Sequence, residues 1–365
     1  MESFTFDDVL SFAQTSYLLK TLNSEAQKRI ISTVFRDGAV VYSRYETYNG
    51  HLSNDQILSE VKKYHEASKN DFQALFNVTS QHGSSNALGT QIALVRAFMK
   101  KKMYREAVLR IGTILKAEPG KSIFYFFLGQ IRLELSEYDE AVKCFRKAIE
   151  LDPNYADYHF HLGKSLLAVN QCLAAINEFI YAIKLNAYYG DAYFHLGLAY
   201  LQNVIVKEDY QLSVDATARA QHAFHMASQI NPNLKDDAFR CGEEALRAGD
   251  VQQAFDSFRN INTDDDRERS QGFILDFHLR YLSEGDRLPI GEIQAHIEKL
   301  EKLTKRYASY ADLHYELGIA YVLLGRCINR CAVKSLQNAV AINPDYSTAQ
   351  RMLRSLTDNK RNIVS

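Results

Sequence analysis

The stretch from Ser122 to Tyr155 is followed at once by a near copy of itself, Ala156 to Tyr189, at an offset of 34 residues. Leu128-Gly129 recurs as Leu162-Gly163 and again as Leu196-Gly197, while Ala141, Phe145 and Ala148 recur as Ala175, Phe179 and Ala182. Each copy of such a period is one supersecondary unit that buries its apolar face only by stacking on its neighbours. The small residues let two helices of a unit approach closely. Leu128, Phe145, Leu162 and Phe179 fill the space between them, each contributing about 1.5 to 3 kcal/mol when fully buried. Pro153 cannot continue a helix, so the chain turns there and starts again.

This pattern resembles the tetratricopeptide repeat, a helix-turn-helix unit of 34 residues. The resemblance implies a mainly α fold, a right-handed helical solenoid of about seven helix-turn-helix units starting near 88, 122, 156, 190, 235, 269 and 311. The unit at 88 keeps Leu94, Ala107, Ile111 and Pro119. The unit at 190 keeps Tyr193, Leu196, Gly197 and Tyr200 and regains register at Ala220, Phe224, Ala227 and Pro232, so an insertion of 11 residues is expected to bulge from Asn203 to Leu212. The unit at 235 shows Gly242, Ala245, Ala254 and Phe258. Residues 269–310 keep only helix-length periodicity, as in Ile293, Ile297, Leu300 and Leu303. The last unit carries Leu317, Gly318, Tyr321, Ala339 and Pro344, with two extra residues. The array is read as 88–346, and the polar stretch 347–365 as its capping helix and tail.

Pro119-Gly120-Lys121-Ser122 looks like the end of a phosphate-binding loop, but that motif needs a glycine where this chain has Leu115, and a strand leading in. In the repeat register the four residues form a joint between two units.

Before Leu88 the period is absent. Thr5 and Asp8 read as a capping box opening a short helix with Val9, Leu10 and Phe12. Leu18–Leu22, Ile30–Phe35 and Ala39–Tyr45 read as strands, the last two joined by Asp37-Gly38, a strong hairpin signal. Ser53 and Gln56 open a helix with Ile57, Leu58, Val61 and Tyr64. The runs FDDVLSFAQTS, FRDGAVVYS and DQILSEV resemble the PATAN-type domains of bacterial signalling proteins, although Ser16-Tyr17 stands where those have a glycine. That resemblance implies a small α/β adaptor module over 1–80, serving two-component or motility regulation. Residues 81–87 read as a linker.

Composition narrows the function. A formal charge of -1 over 365 residues gives no basic footprint for nucleic acid. The termini and apolar runs show neither a signal peptide nor a membrane-spanning helix, and the five cysteines form no zinc or disulfide pattern, so a cytoplasmic protein is expected. No GxSxG, HExxH or GxGxxG occurs, and no catalytic residue, metal or cofactor is expected. His159, His161 and His195 cluster on first helices without an accompanying carboxylate or thiol, which favours packing or groove-lining roles over metal binding. Asp264-Asp265-Asp266 lacks the alternation of a calcium loop and reads as helix capping.

In the family, the second, fifth, ninth and twelfth residues of each first helix line a concave groove. The resemblance therefore assigns to that groove Ile92, Phe126, Phe160 and Phe194 at the fifth position, Arg96, Gln130 and Lys164 at the ninth, and Met99, Leu133, Leu167 and Leu201 at the twelfth, with His161 and His195 at the sixth. Phenylalanine stands where the family's carboxylate clamp has lysine. The expected function is a non-enzymatic scaffold that binds an apolar or amphipathic protein segment, in bacterial signalling, motility or surface-machine assembly. The alternative is a self-assembling protein whose groove is filled by its own N-terminal domain or by another copy.

Overall fold

The computed structural model describes residues 4–354 apart from 13, 49–51, 84, 86, 210–214, 235–236, 262–264, 307–310, 343–349 and 352. A four-stranded antiparallel sheet precedes 14 helices among the described residues, and the helices between 122 and 259 pair as the hairpins of a tetratricopeptide-type solenoid. The chain divides into two compact units, Met1–Leu275 and Asp276–Ser365.

The first four elements are β1 (Thr5–Phe12), β2 (Thr15–Ser24), β3 (Arg29–Arg36) and β4 (Ala39–Thr47), paired in chain order. The expected first helix is thus a strand. Its residues alternate Phe6, Leu10 and Phe12 with Thr5, Asp7, Val9 and Ser11, a period of two that suits a pleated strand rather than a helix. Asp37 and Gly38 both take positive φ, 51° and 76°, the conformation of a two-residue hairpin turn. Helix α1 (Asn54–His82) starts at the expected capping box, with Ser53 and Gln56 satisfying each other's backbone N–H groups. Its Ile57, Val61, Phe72, Leu75 and Phe76 are buried, as are Leu10, Tyr17, Leu19, Ile30 and Val34 of the sheet.

Two carboxylates fasten this module to the helices that follow, α2 (Leu88–Lys100) and α3 (Tyr104–Ala117). Glu106 accepts from Tyr17 Oη at 2.7 Å and from Arg36 Nη1 at 2.6 Å. Asp71 accepts from the buried Lys101, whose ammonium lies over the Tyr42 and Phe72 rings and whose pKa burial lowers, the Asp71 carboxylate pulling the other way. Phe12 stacks on Phe76 at 4.5 Å and lies 5.8 Å from Phe98.

Four further helix pairs follow in the first compact unit: α4 (Ser122–Glu134) with α5 (Tyr138–Leu151), α6 (Ala156–Ala168) with α7 (Cys172–Leu185), α8 (Gly190–Val206) with α9 (Ala216–Ile230), and α10 (Asp237–Ala248) with α11 (Val251–Arg259). Each pair is locked by one small-to-large contact. A Cβ placed on Gly129, Gly163, Gly197 or Gly242 would fall 2.5, 2.6, 2.7 and 2.6 Å from ring atoms of Phe145, Phe179, Phe224 and Phe258 respectively. Only glycine allows that approach. Ala141, Ala148, Ala175 and Ala182 are fully buried beside it. Pro119 to Lys121 lie between α3 and α4, and Lys121 pairs with Glu118 at 3.0 Å, so the PGKS run is a joint preceded by a helix.

The insertion is only partly a bulge. Helix α8 runs four residues beyond its counterparts and ends with Lys207 in the left-handed conformation, φ 56°. Asn203 then clamps Asp209, its Nδ2 donating to the Asp209 carbonyl at 3.0 Å and its Oδ1 accepting from the Asp209 N–H at 3.1 Å. This turns Glu208 back onto the start of α7, where its carboxylate accepts from the N–H groups of Cys172 and Leu173. A negative charge there satisfies orphan amides and opposes the helix dipole. Glu208→Ala is expected to destabilise the array by about 1 kcal/mol in a chemical melt; an unchanged midpoint would remove the cap from this account.

Helix α12 (Asp265–Glu284) follows, and Asp264, with the side chains of Asp265 and Asp266, lies outside the described residues. In the second compact unit, Ile293 and Leu300 of α13 (Ile290–Arg306) are fully buried. His296 lies flat on Phe277, centroids 3.8 Å apart, and burial lowers its pKa to about 4. The expected hairpin beginning at 311 is instead one continuous helix, α14 (Ala311–Ile342). Of the expected capping stretch 347–365, only residues 350, 351, 353 and 354 are described.

Candidate partner-binding face

The fifth-position phenylalanines do not line a groove. Phe126 is 7% exposed, Phe160 1% and Phe194 1%, and each packs against the second helix of its own unit, at 5.8 Å from Phe145, 6.0 Å from Phe179 and 5.3 Å from Phe224. The sixth-position histidines complete the stack. His161 lies 5.2 Å from both Phe126 and Phe160, and His195 lies 5.1 Å from Phe160 and 5.9 Å from Phe194. The result is a ladder, Phe126, His161, Phe160, His195, Phe194, that joins three consecutive units through their interior. Phe160 is closed further by Tyr189 at 4.9 Å, and Phe126 by Tyr158 at 4.9 Å. Edge-to-face and tilted ring pairs of this kind add about 0.5 to 1.5 kcal/mol each beyond their buried area.

Leu167 and Leu201 are buried as well. The assigned positions that keep an open face are Ile92, Arg96, Met99, Gln130, Leu133 and Lys164, all half-buried, with the half-buried edges of His161 and His195 beside them. Lys164 projects its ammonium 5.5 Å from the centre of the Phe160 ring. This face is therefore mixed rather than aromatic: aliphatic at Ile92, Met99 and Leu133, polar along Arg96, Gln130 and Lys164.

Two constellations that resemble chemistry are structural. His159 donates from Nε2 to the Pro153 carbonyl at 3.0 Å, and its Nδ1 lies 2.7 Å from Glu178 Oε2, which ties the start of α6 to α7. Asp8, His65 and Thr21 form a carboxylate–imidazole–hydroxyl series at 3.0 and 2.9 Å, continued to Ser32 at 2.9 Å, in the order used for nucleophilic catalysis. Thr21 and Ser32 are completely enclosed between sheet and helix, so no substrate can reach either hydroxyl. The sequence could not reveal this network, because its members come from four elements. The Cys172 thiol is buried beside Glu208, and burial foremost pushes its pKa up to about 12, far from a reactive thiolate. Among the described residues no group of three His, Cys, Asp or Glu could hold a metal ion, and no helix is long and apolar enough to cross a membrane.

With the helix pairs and their glycine sockets established, the family comparison bears on the central units. The profiles of two families, described as TPR repeat and tetratricopeptide repeat, match residues 129–170 and 160–224. Over these residues the chain is similar to tetratricopeptide repeats. Such repeats generally serve as non-catalytic protein-interaction modules. No curated protein matches the sequence. Similar solved structures include MamA (22% identity, TM-score 0.37, covering 49% of this chain and 97% of the other). YrrB, described as a TPR protein with an unusual peptide-binding site, is 17% identical with a TM-score of 0.38, covering 54% of this chain and 97% of the other. PilW, described as a widely conserved type IV pilus biogenesis factor, is 16% identical with a TM-score of 0.38, covering 64% and 100%.

Proposed function

We propose that the protein is a non-enzymatic, cytoplasmic scaffold that holds an amphipathic segment of a partner protein on the first helices of the units starting at 88, 122 and 156. The observation that carries this reading is the half-buried row at equivalent repeat positions, Arg96, Gln130 and Lys164, flanked by Ile92, Met99 and Leu133. One residue per unit at a fixed helical position gives an extended partner evenly spaced contacts. The buried phenylalanine ladder then acts as the rigid backing that keeps the row in register. The module over residues 1–80, fastened through Glu106 and Asp71 to α2 and α3, serves in this reading as an adaptor at the end of the array, in keeping with its PATAN-like sequence runs and a role in bacterial signalling, motility or surface-machine assembly. The contacts that fasten it lie on α3 and at the end of α2, which favours an open face over one filled by the chain's own N-terminus.

The test is to pan a displayed random-peptide library against the full chain. Enriched peptides should lose at least roughly 10-fold in affinity with a Gln130→Ala, Leu133→Ala double variant, and should be unaffected by Tyr181→Ala on an exposed second-helix position. Peptides indifferent to the double variant would refute the assignment.

A further inference from the structure

In the units starting at 88, 122, 156 and 235 the fifteenth residue lies in the turn between the two helices, where Lys102, Ser136, Asn170 and Gly249 take positive φ of 52°, 59°, 62° and 77°. In the unit starting at 311 the fifteenth residue is Gly325, the residue type that adopts this conformation without steric cost. Gly325 nevertheless sits inside α14, which continues unbroken from Ala311 to Ile342.

The sockets point the same way. Gly129, Gly163, Gly197 and Gly242 each receive a ring from the second helix of their unit, whereas Gly318, at the same eighth position, is exposed with nothing within 4 Å of where its Cβ would be. Leu336 aligns with those rings once the two extra residues are counted. It lies 18 positions further along the same straight helix, about 27 Å away. The chain therefore carries a socket and its plug on one rod that cannot bring them together. Tyr321, Val322 and Ile328, 47%, 57% and 52% exposed, lie on this rod.

We infer that α14 is the exchange element of a homodimer, in which the second half of α14 from each copy packs on the first half from the other and Leu336 closes the partner copy's Gly318 socket. Straightening a turn so that identical segments trade places is a low-cost route to a closed, two-fold dimer. The occupant is a second copy because the complementary surface is the chain's own repeat half, in its own register. Each exchanged half is about 24 Å long and about 10 Å wide, so the four faces of two exchanged hairpins cover on the order of 1,000 Å², where specific interfaces begin. The inference concerns residues 311–342 and is independent of the proposed partner-binding face.

Sedimentation velocity on the full chain at micromolar concentration tests it. The expected mass is about twice 41.7 kDa. Gly325→Ala, which favours the straight helix and disfavours the turn, should tighten the dimer about 5-fold. Leu336→Asp should weaken it at least roughly 30-fold while circular dichroism stays helical. A monomeric wild type, its hairpin closed within one chain, overturns the inference, as does a dimer that Leu336→Asp leaves unchanged. If Leu336→Asp does not fold, Gly318→Leu decides: on an open helix face it is tolerated, but it fills the socket, so retention of the dimer contradicts the exchange and its loss supports it.

Discussion

Gly163→Leu is expected to destabilise the array by at least about 3 kcal/mol and to lower its melting temperature by about 6 °C or more. The added Cβ alone would lie 2.6 Å from Cε1 and 2.8 Å from Cδ1 of Phe179, closer than real Cβ atoms come, and the remaining side-chain carbons have nowhere else to go. Phe179 cannot yield, because it is fully buried and its ring is flanked by Phe160 and His195, each 6.0 Å away. Helix α7 must therefore move off α6, and the stacking of the neighbouring units is lost with it. The control is Gly112→Ala on α3, where nothing lies within 4 Å and helix propensity should stabilise by up to about 1 kcal/mol. Thermal melts of the two variants check both signs. A Gly163→Leu protein that melts like the wild type would show that the helix pair is not packed through this socket.

Phe160→Asp should do more damage, removing cooperative unfolding of the central units altogether. Truncating a buried phenylalanine costs about 3 to 5 kcal/mol. The variant adds a carboxylate at a site 1% exposed, where the neighbours are the rings of Phe179, Tyr189, His161 and His195. The Lys164 ammonium, 5.5 Å over the ring face, and the His161 and His195 imidazoles would have to turn toward the new charge, each giving up its ring contact with Phe160. Against a total stability of about 5 to 15 kcal/mol, a loss of this size leaves the central units unfolded at room temperature. Circular dichroism should show a drop in helicity spread over several units rather than one. A Phe160→Asp protein with native helicity and a native melt would return Phe160 to the surface and restore the aromatic groove.

The helix pairs were legible because their packing is local and periodic: Gly129 and Phe145, or Gly163 and Phe179, sit 16 residues apart in each copy, and the spacing names both partners. Even the insertion was legible as a register break, since Gly197 and Phe224 are 27 apart and still meet. What the insertion does was not, because Glu208 acts on α7, one unit back. Val9, Leu10 and Phe12 read as helical because Thr5 and Asp8 imitate a cap, while the alternation that makes a strand is obscured by Asp8 on the inward-facing side, where His65 receives it. The burial of Phe126, Phe160 and Phe194 has a different reason. Repeat position fixes which helix face a residue is on, but not whether a large side chain there reaches inward; Phe160 does so because His195 of the next unit and Tyr189 close over it. The straight course of α14 had no local signal, since Gly325 is the residue a turn would choose.

The central claim is that the phenylalanine ladder is interior and the polar row beside it is the working surface. It is tested most directly by separating stability from affinity in one pair of variants, Phe160→Leu and Lys164→Glu, using a peptide selected from the library. Phe160→Leu keeps an apolar plug but loses ring contacts, so it should lower the melting temperature by about 2 °C or more and leave peptide affinity within about 3-fold. Lys164→Glu reverses a charge on the open row, so it should leave the melt within about 2 °C and change affinity at least about 10-fold. The opposite pattern, affinity falling with Phe160→Leu and indifferent to Lys164→Glu, would contradict the account.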